Sequence, residues 1–280
     1  MKPAPFEYCR PDTLEEAVAL LAEFGDDALV MSGGLSLGAM LNMRMVRPEA
    51  VIDINRIQQL SQISIDGAEL RIGALARQAD VIASPECQAA APLLIKGLKN
   101  VGHYQTRSRG TVGGSVAHAD PSAEIPLCLT AQIGEIELIS TRGTRRVKPA
   151  DFFLGALITD CDGDEMVTAL VIPVMPTGAG IAFEEINERH GDFAIVAAAA
   201  WAIRDGDTFH YGLGVGGLDD RPLGLHGTTT GEIKNVQEAA TTIICNSEPL
   251  DDRRASAMYR RHLAFHLGER TLKQALEAAT

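Results

Sequence analysis

The chain has 280 residues, 46% of them apolar, and 25 Lys and Arg against 37 Asp and Glu give it a formal net charge of −12. That length suits one large domain or two ordinary ones at about 150 residues each, and the apolar content supports a sizeable core rather than disorder. So acidic a chain is a poor partner for nucleic acid or for an anionic membrane, both of which select clustered Lys and Arg.

Cys9, Cys87, Cys128, Cys161 and Cys245 are odd in number and form no C-x-x-C pair. The pattern fits free thiols in a reducing cytoplasm better than disulfides, zinc or an iron–sulfur cluster held by this chain. His262 and His266 have i, i+4 spacing, but no third metal-ligand candidate lies near them, so a helix surface is the ordinary reading. The N-terminal MKPAPFEYCRPD lacks an apolar signal core, and no apolar run reaches membrane-spanning length. The expectation is a soluble cytoplasmic protein without membrane insertion.

In chain order, Thr13-Leu14-Glu15-Glu16 matches a capping box, followed by apolar residues at helical spacing from Leu14 to Phe24 and a stop at Gly25. Residues 28–31 read as a short buried strand running into Ser32-Gly33-Gly34, with a helix over 36–43. A strand over 51–54 comes next, then a hairpin over 63–65 and 70–72 turning at Asp66-Gly67. Helices are predicted over 76–84 and 92–101, another from Pro121, and strands over 136–140 and 166–172. Hairpins among the interleaved elements predict a mixed or antiparallel sheet.

Pro173-Val-Met-Pro176-Thr-Gly178-Ala-Gly180 reads as a linker, because two Pro and two Gly in eight residues cannot continue a helix or central strand. Strands over 181–188, 193–204 and 208–215 follow, the last two joined at Asp205-Gly206. Helices are predicted over 231–246, 250–267 and 271–279. This half reads as a smaller α+β domain, a meander followed by helices.

Two stretches share a build: VMSGGLSLG at 30–38 and GTVGGSVAHADPSAE at 110–124. Convergent backbone N–H groups bind phosphate without cations, and glycine permits both the close approach and the unusual backbone angles. Ser36 at the first turn, and Thr111 and Ser115 at the second, add hydroxyls. A pyrophosphate would use both turns, which reconciles an acidic protein with an anionic ligand. Taken singly, each turn is equally an ordinary strand-to-helix connection, and neither fits G-x-G-x-x-G or the P-loop pattern. Asp120 before Pro121 reads as an N-cap. Glu124, one turn on, is either an acceptor for sugar hydroxyls or a solvated first-turn carboxylate.

With SGGLSLG and TRSRGTVGGSVAHADPSAEIP in place, together with MVRPEAVIDI, DEMVTALVIP and FEEINERHGDFAIV, the chain resembles the FAD-binding medium subunits of molybdenum hydroxylases. These are the carbon monoxide, xanthine and nicotine dehydrogenase types, and the resemblance spans nearly the whole chain. It implies an α+β fold: a two-part FAD-binding domain of the PCMH/VAO type over 1–175, with subdomains of about 1–57 and 58–175. A carbon monoxide dehydrogenase flavoprotein-type C-terminal domain over 176–280 would follow, with a three-stranded antiparallel sheet plus helices.

The resemblance further implies non-covalent FAD, with Ser32, Gly33, Gly34, Leu35 and Ser36 and then Thr111, Gly113, Gly114 and Ser115 around the pyrophosphate and adjoining ribityl. Glu124 matches the acidic position that binds flavin or sugar hydroxyls, and Val101 and Val167 match apolar contact positions. Phe193 stands near a Tyr of some relatives, so its ring packs either on flavin or in the core. Glu184 stands where some relatives have Lys, so no cationic contact carries over there. Implied partners are a large subunit with the molybdopterin cofactor and a small subunit with two 2Fe–2S clusters, assembled as a dimer of heterotrimers. This chain would pass electrons from those clusters to a terminal acceptor and needs no catalytic base. The alternatives are a free-standing FAD-dependent oxidase or reductase of the same fold, and a non-enzymatic assembly subunit.

Overall fold

The Thr13 hydroxyl accepts the Glu16 N–H at 3.2 Å, and the Glu16 carboxylate takes the N–H groups of Asp12 and Thr13, so the predicted capping box is formed. It starts the first helix of the first of three units in a computed structural model that describes residues 1–280. This unit holds β1 (Glu7–Cys9), α1 (Leu14–Phe24), β2 (Ala28–Met31), α2 (Leu35–Asn42) and β3 (Ala50–Asp53). The strands pair in parallel in the order β1-β3-β2. Central β3 is buried along its whole length, as a strand covered on both faces must be.

The second unit runs through β4 (Ile63–Asp66), β5 (Glu69–Gly73), α3 (Gln78–Ala83), α4 (Pro85–Ala90), α5 (Pro92–Leu98), α6 (Tyr104–Arg107), α7 (Val112–His118) and α8 (Glu124–Gln132). It continues with β6 (Glu135–Ser140), β7 (Gly143–Val147), α9 (Pro149–Phe152), β8 (Phe153–Gly155), β9 (Ile158–Thr159) and β10 (Met166–Pro173). Its five-stranded sheet is antiparallel with order β4-β5-β10-β6-β7. Gly67 turns the predicted hairpin at φ +57. The helix expected over 76–84 forms as α3, and it stops at Ala83 because Ser84 caps a further short helix, α4, through the Cys87 N–H, with Pro85 in its first position. β10 carries a bulge between Val167 and Ala169.

The third unit contains β11 (Gly180–Ile186), β12 (Val196–Asp205), β13 (Thr208–Gly216), β14 (Leu223–Thr229), α10 (Ile233–Cys245) and α11 (Ala257–Ala278). Its antiparallel sheet has four strands rather than the expected three: β14 pairs with β13, and its polar, glycine-containing sequence LGLHGTT gave no strand pattern. The two helices expected over 250–267 and 271–279 are one. Gly268 does not end it: an interior glycine costs a helix only about 1 kcal/mol, and the buried Leu267, Thr271 and Leu272 pack the helix on both sides of it. His262 and His266 stack edge to face on that helix, with ring centroids 4.5 Å apart.

The run VAAAAWAIRD of β12 sends small side chains both ways. Ala197 and Ala199 pack with the core of the second unit, while Ala198, Ala200 and Ala202 pack against the α10–α11 layer. α8, buried at all nine positions, packs between the five-stranded sheet and the face of the four-stranded sheet turned away from α10 and α11. Gly212 and Gly214 of β13 let it come close: a Cβ at Gly214 would meet Leu127 at 2.9 Å, and one at Gly212 would strike the Ala131 carbonyl and the Trp201 ring. The fold thereby sets the first residue of α8, Glu124, at the junction of the units. No helix is long and apolar enough to cross a membrane.

Candidate functional site

A cleft of about 710 Å³ opens between the parallel sheet and the antiparallel one, and all thirteen residues singled out in the sequence line it. Ser32, Gly33, Gly34, Leu35 and Ser36 come from the β2–α2 turn, and Thr111, Gly113, Gly114 and Ser115 from the start of α7. Val101 follows α5, Glu124 opens α8, Val167 lies at the β10 bulge, and Phe193 stands in the β11–β12 loop.

The two glycine stretches are not equivalent. In the first, the N–H groups from Ser32 to Leu37 have no acceptor anywhere in the protein, and the Gly34 N-cap supplies no side chain. The six residues that carry these unpaired donors line the cleft at the N-terminus of an eight-residue helix, an arrangement that suits an anion. In the second, expected as a matching turn, Gly113 and Gly114 already belong to α7. Its N–H groups are spent: Val112 donates to Ala76, Gly113 to Ala74, Gly114 to the Thr111 hydroxyl and Ser115 to the Thr111 carbonyl. That stretch offers the cleft hydroxyls instead.

The glycines are also required by the approach of the two loops to each other. A Cβ at Gly33 would lie 2.5 Å from the Arg109 carbonyl oxygen, and one at Gly114 would lie 2.7 and 2.8 Å from the Thr111 and Ser32 hydroxyls. Gly34 sits at φ +74, in the left-handed region.

Asp120 is not an N-cap. Its carboxylate accepts the Ser122 N–H at 2.8 Å in a local turn, and α8 starts at Glu124 rather than Pro121. Glu124 is no solvated surface group: it is 5% exposed and makes no hydrogen bond to another side chain. Burial, with the nearby carboxylates of Glu185 and Asp120 adding to it, pushes its pKa up to about 8. Glu185, half-buried, is pushed up to about 7 by its burial, and one of its oxygens has no partner. Phe193 is 52% exposed and lies ahead of β12, so it faces the cleft rather than packing as a core residue. Glu184 is bound by Arg270 and Gln274 and lies away from the cleft.

Several lining residues escaped sequence reading. Gln78 is buried with an unpartnered side-chain oxygen, and Leu157 reaches the cleft from a strained φ of +60. Neither carries a local signal, since both are set by packing around them.

A two-sheet cleft lined by an uncapped glycine turn, the hydroxyl-bearing Thr111 and Ser115, a buried carboxyl and a half-exposed aromatic ring is built to take an anionic ligand with a flat apolar part. The comparisons with known proteins agree. The family model for the FAD binding domain in molybdopterin dehydrogenase matches residues 4–175, and that for the CO dehydrogenase flavoprotein C-terminal domain matches 181–275. The chain belongs to this molybdopterin dehydrogenase FAD-binding family.

It is 34% identical over 295 residues to the 6-hydroxypseudooxynicotine dehydrogenase complex subunit alpha of Paenarthrobacter nicotinovorans, covering 100% of this chain and 97% of that one. It is also 34% identical to the carbon monoxide dehydrogenase medium chain of Hydrogenophaga pseudoflava, over 98% of each. Among solved structures, a chain of reconstituted CO dehydrogenase from Oligotropha carboxidovorans superposes with a TM-score of 0.95 at 31% identity, covering 100% of both chains.

Proposed function

We propose that the chain is the FAD-carrying medium subunit of a molybdenum hydroxylase complex, an oxidoreductase whose substrate is hydroxylated on a partner chain. The observation that carries this reading is the run of six unpaired N–H groups from Ser32 to Leu37 lining a cleft of dinucleotide size. A pyrophosphate supplies the acceptors they lack, with the hydroxyls of Thr111 and Ser115 completing its surroundings. Glu124, carrying a proton at neutral pH, both donates to and accepts from ligand hydroxyls. Val101, Val167 and Phe193 give a flat ring apolar contact and keep water from it.

FAD, when bound, exchanges electrons one or two at a time, which joins one-electron clusters to a two-electron acceptor. The chain's own part is to bind, orient and shield it. The large molybdopterin subunit and the small subunit with two 2Fe–2S clusters supply the rest, in a dimer of heterotrimers in the cytoplasm. The relatives named above as a medium chain and as a complex subunit support this partnership. The division into an FAD-binding domain over 1–175 (subdomains of about 1–57 and 58–175) and a C-terminal domain over 176–280 belongs to the same reading.

The test is to purify the chain alone and with the products of neighbouring genes. The complex is expected to show flavin, iron–sulfur and molybdenum absorption, and the isolated chain flavin alone, unreduced by organic substrates. Rapid reduction of the isolated chain by an organic substrate, or a colourless chain that takes up no FAD, refutes the assignment.

A further inference from the structure

The first glycine turn has its donors free because something outside the cleft holds the turn in place. The Ser32 carbonyl accepts from the Asn55 side-chain amide at 2.7 Å. The same amide nitrogen lies 2.6 Å from the Asp53 carboxylate, which also takes the Asn55 backbone N–H at 2.9 Å. Asp53 in turn accepts from the Tyr8 hydroxyl, and Arg10 lies 3.9 Å away. On its other side, the Asn55 carbonyl oxygen accepts from the Arg77 guanidinium at 2.7 Å, and a second Arg77 nitrogen binds the Arg109 carbonyl. Asn55 and Arg77 do not line the cleft, whereas Ser32, Gly33 and Gly110 do.

A trans peptide is planar, with its C=O and N–H pointing in opposite directions. Pinning the Ser32 carbonyl to Asn55 therefore turns the Gly33 N–H away from Asn55. The Arg109 carbonyl held by Arg77 is the atom that Gly33 approaches so closely that a Cβ would lie 2.5 Å from it. One Asn and one Arg thus fix the direction of the first turn and its distance from the second loop. They do so across the seam, Asn55 following β3 in the first unit and Arg77 preceding α3 in the second.

We propose that Asn55, braced by Arg77, is a positioning residue that aims the Ser32–Gly33 peptide at the dinucleotide phosphate and so sets FAD affinity without touching FAD. The proposal rests on the FAD reading above. A Lys at position 77 keeps the charge but cannot span both acceptors, because the two bonds use the guanidinium fork.

The test uses the full-length chain, with FAD as the probe. Asn55→Ala and Arg77→Lys are compared with wild type by flavin-fluorescence titration, by thermal midpoint without FAD, and by phosphorus NMR of bound FAD at saturation. The expected result is a Kd raised about tenfold or more in Asn55→Ala and less in Arg77→Lys, with displaced phosphate resonances in both. A Kd within about twofold of wild type and unmoved resonances overturn the proposal, even if the thermal midpoint falls, because a merely structural Asn55 would change stability alone. If Asn55→Ala does not fold, Arg77→Lys decides by the same two readouts. A wild-type chain that binds no FAD removes the FAD reading and this proposal together; a wild type that binds FAD while the variants match it removes only this one.

Discussion

The hydroxyls of Ser32 and Thr111 lie 2.9 Å apart although 79 positions separate them in the chain. Each belongs to a different sheet unit, and the contact joins the donor-rich turn to the N-cap of α7. Thr111 also accepts the Gly114 N–H at 3.1 Å, so a single oxygen serves the seam and the cap. Thr111→Val, which keeps the shape and removes the oxygen, is expected to cost about 1 kcal/mol of stability and to weaken FAD binding about tenfold. Urea denaturation of the FAD-free chain and flavin titration measure the two effects separately.

Gly33→Val and Gly114→Val are expected to abolish FAD retention. The first drives a side chain into the Arg109 carbonyl, and the second into the hydroxyls of Ser32 and Thr111. Neither site lies in the third unit, so that unit is expected to stay folded. Absorbance at flavin wavelengths together with limited proteolysis checks both halves of the statement, and full flavin occupancy in both variants contradicts the cleft assignment.

Glu124 makes stability depend on pH in a stated direction. Its folded pKa of about 8 lies above the usual carboxylate range, so the native state holds a proton that the unfolded chain releases. Its contribution is complete below about pH 4.5 and is lost as pH rises toward 8. Glu185, raised to about 7 by burial, acts in the same sense over a lower window. Glu124→Gln is expected to flatten this fall while keeping most FAD affinity, and Glu124→Ala to weaken FAD binding, though less than the glycine variants. Thermal midpoints of the FAD-free chain across that pH range provide the check.

Arg254 binds the Phe193 carbonyl, and Arg260, itself buried, binds the carbonyls of Ile195 and Gly217. The ring of Phe193 is therefore presented from a fixed backbone. Phe193→Ala is expected to leave FAD bound but more open to solvent, with Arg254→Ala giving a weaker version of the same change. Iodide quenching of the bound flavin's fluorescence reads that exposure directly, and identical quenching in Phe193→Ala and wild type contradicts a shielding role.

The elements with strong local chemistry were legible from sequence. Thr13 and Glu16 announced α1, Asp66-Gly67 its hairpin, and the Pro173–Gly180 run the passage between β10 and β11. The cleft residues were legible as well, since the glycine-hydroxyl pattern and the family resemblance pointed to them and the fold brings all thirteen together. What stayed hidden depends on tertiary partners. β14 reads as polar and glycine-rich, because its pairing with β13 rather than its own pattern makes it a strand. The inequality of the two glycine stretches was invisible too: only the approach of Ala74 and Ala76 reveals that the second has no N–H to spare. Asn55 and Arg77 act through carbonyls, which carry no side-chain signature.

The glycines of β13 that seat α8 have one more effect. They make the third unit the bed on which α8, with Glu124 at its start, rests, so the shape of the cleft is partly written in residues that never reach it. Exchanging the C-terminal unit between relatives as a cassette would leave α8 resting on an unfamiliar surface and tilt the carboxyl at its start. A hybrid of this kind would inherit its flavin-binding loops intact and still bind flavin differently, unless α8 travelled with the sheet that supports it.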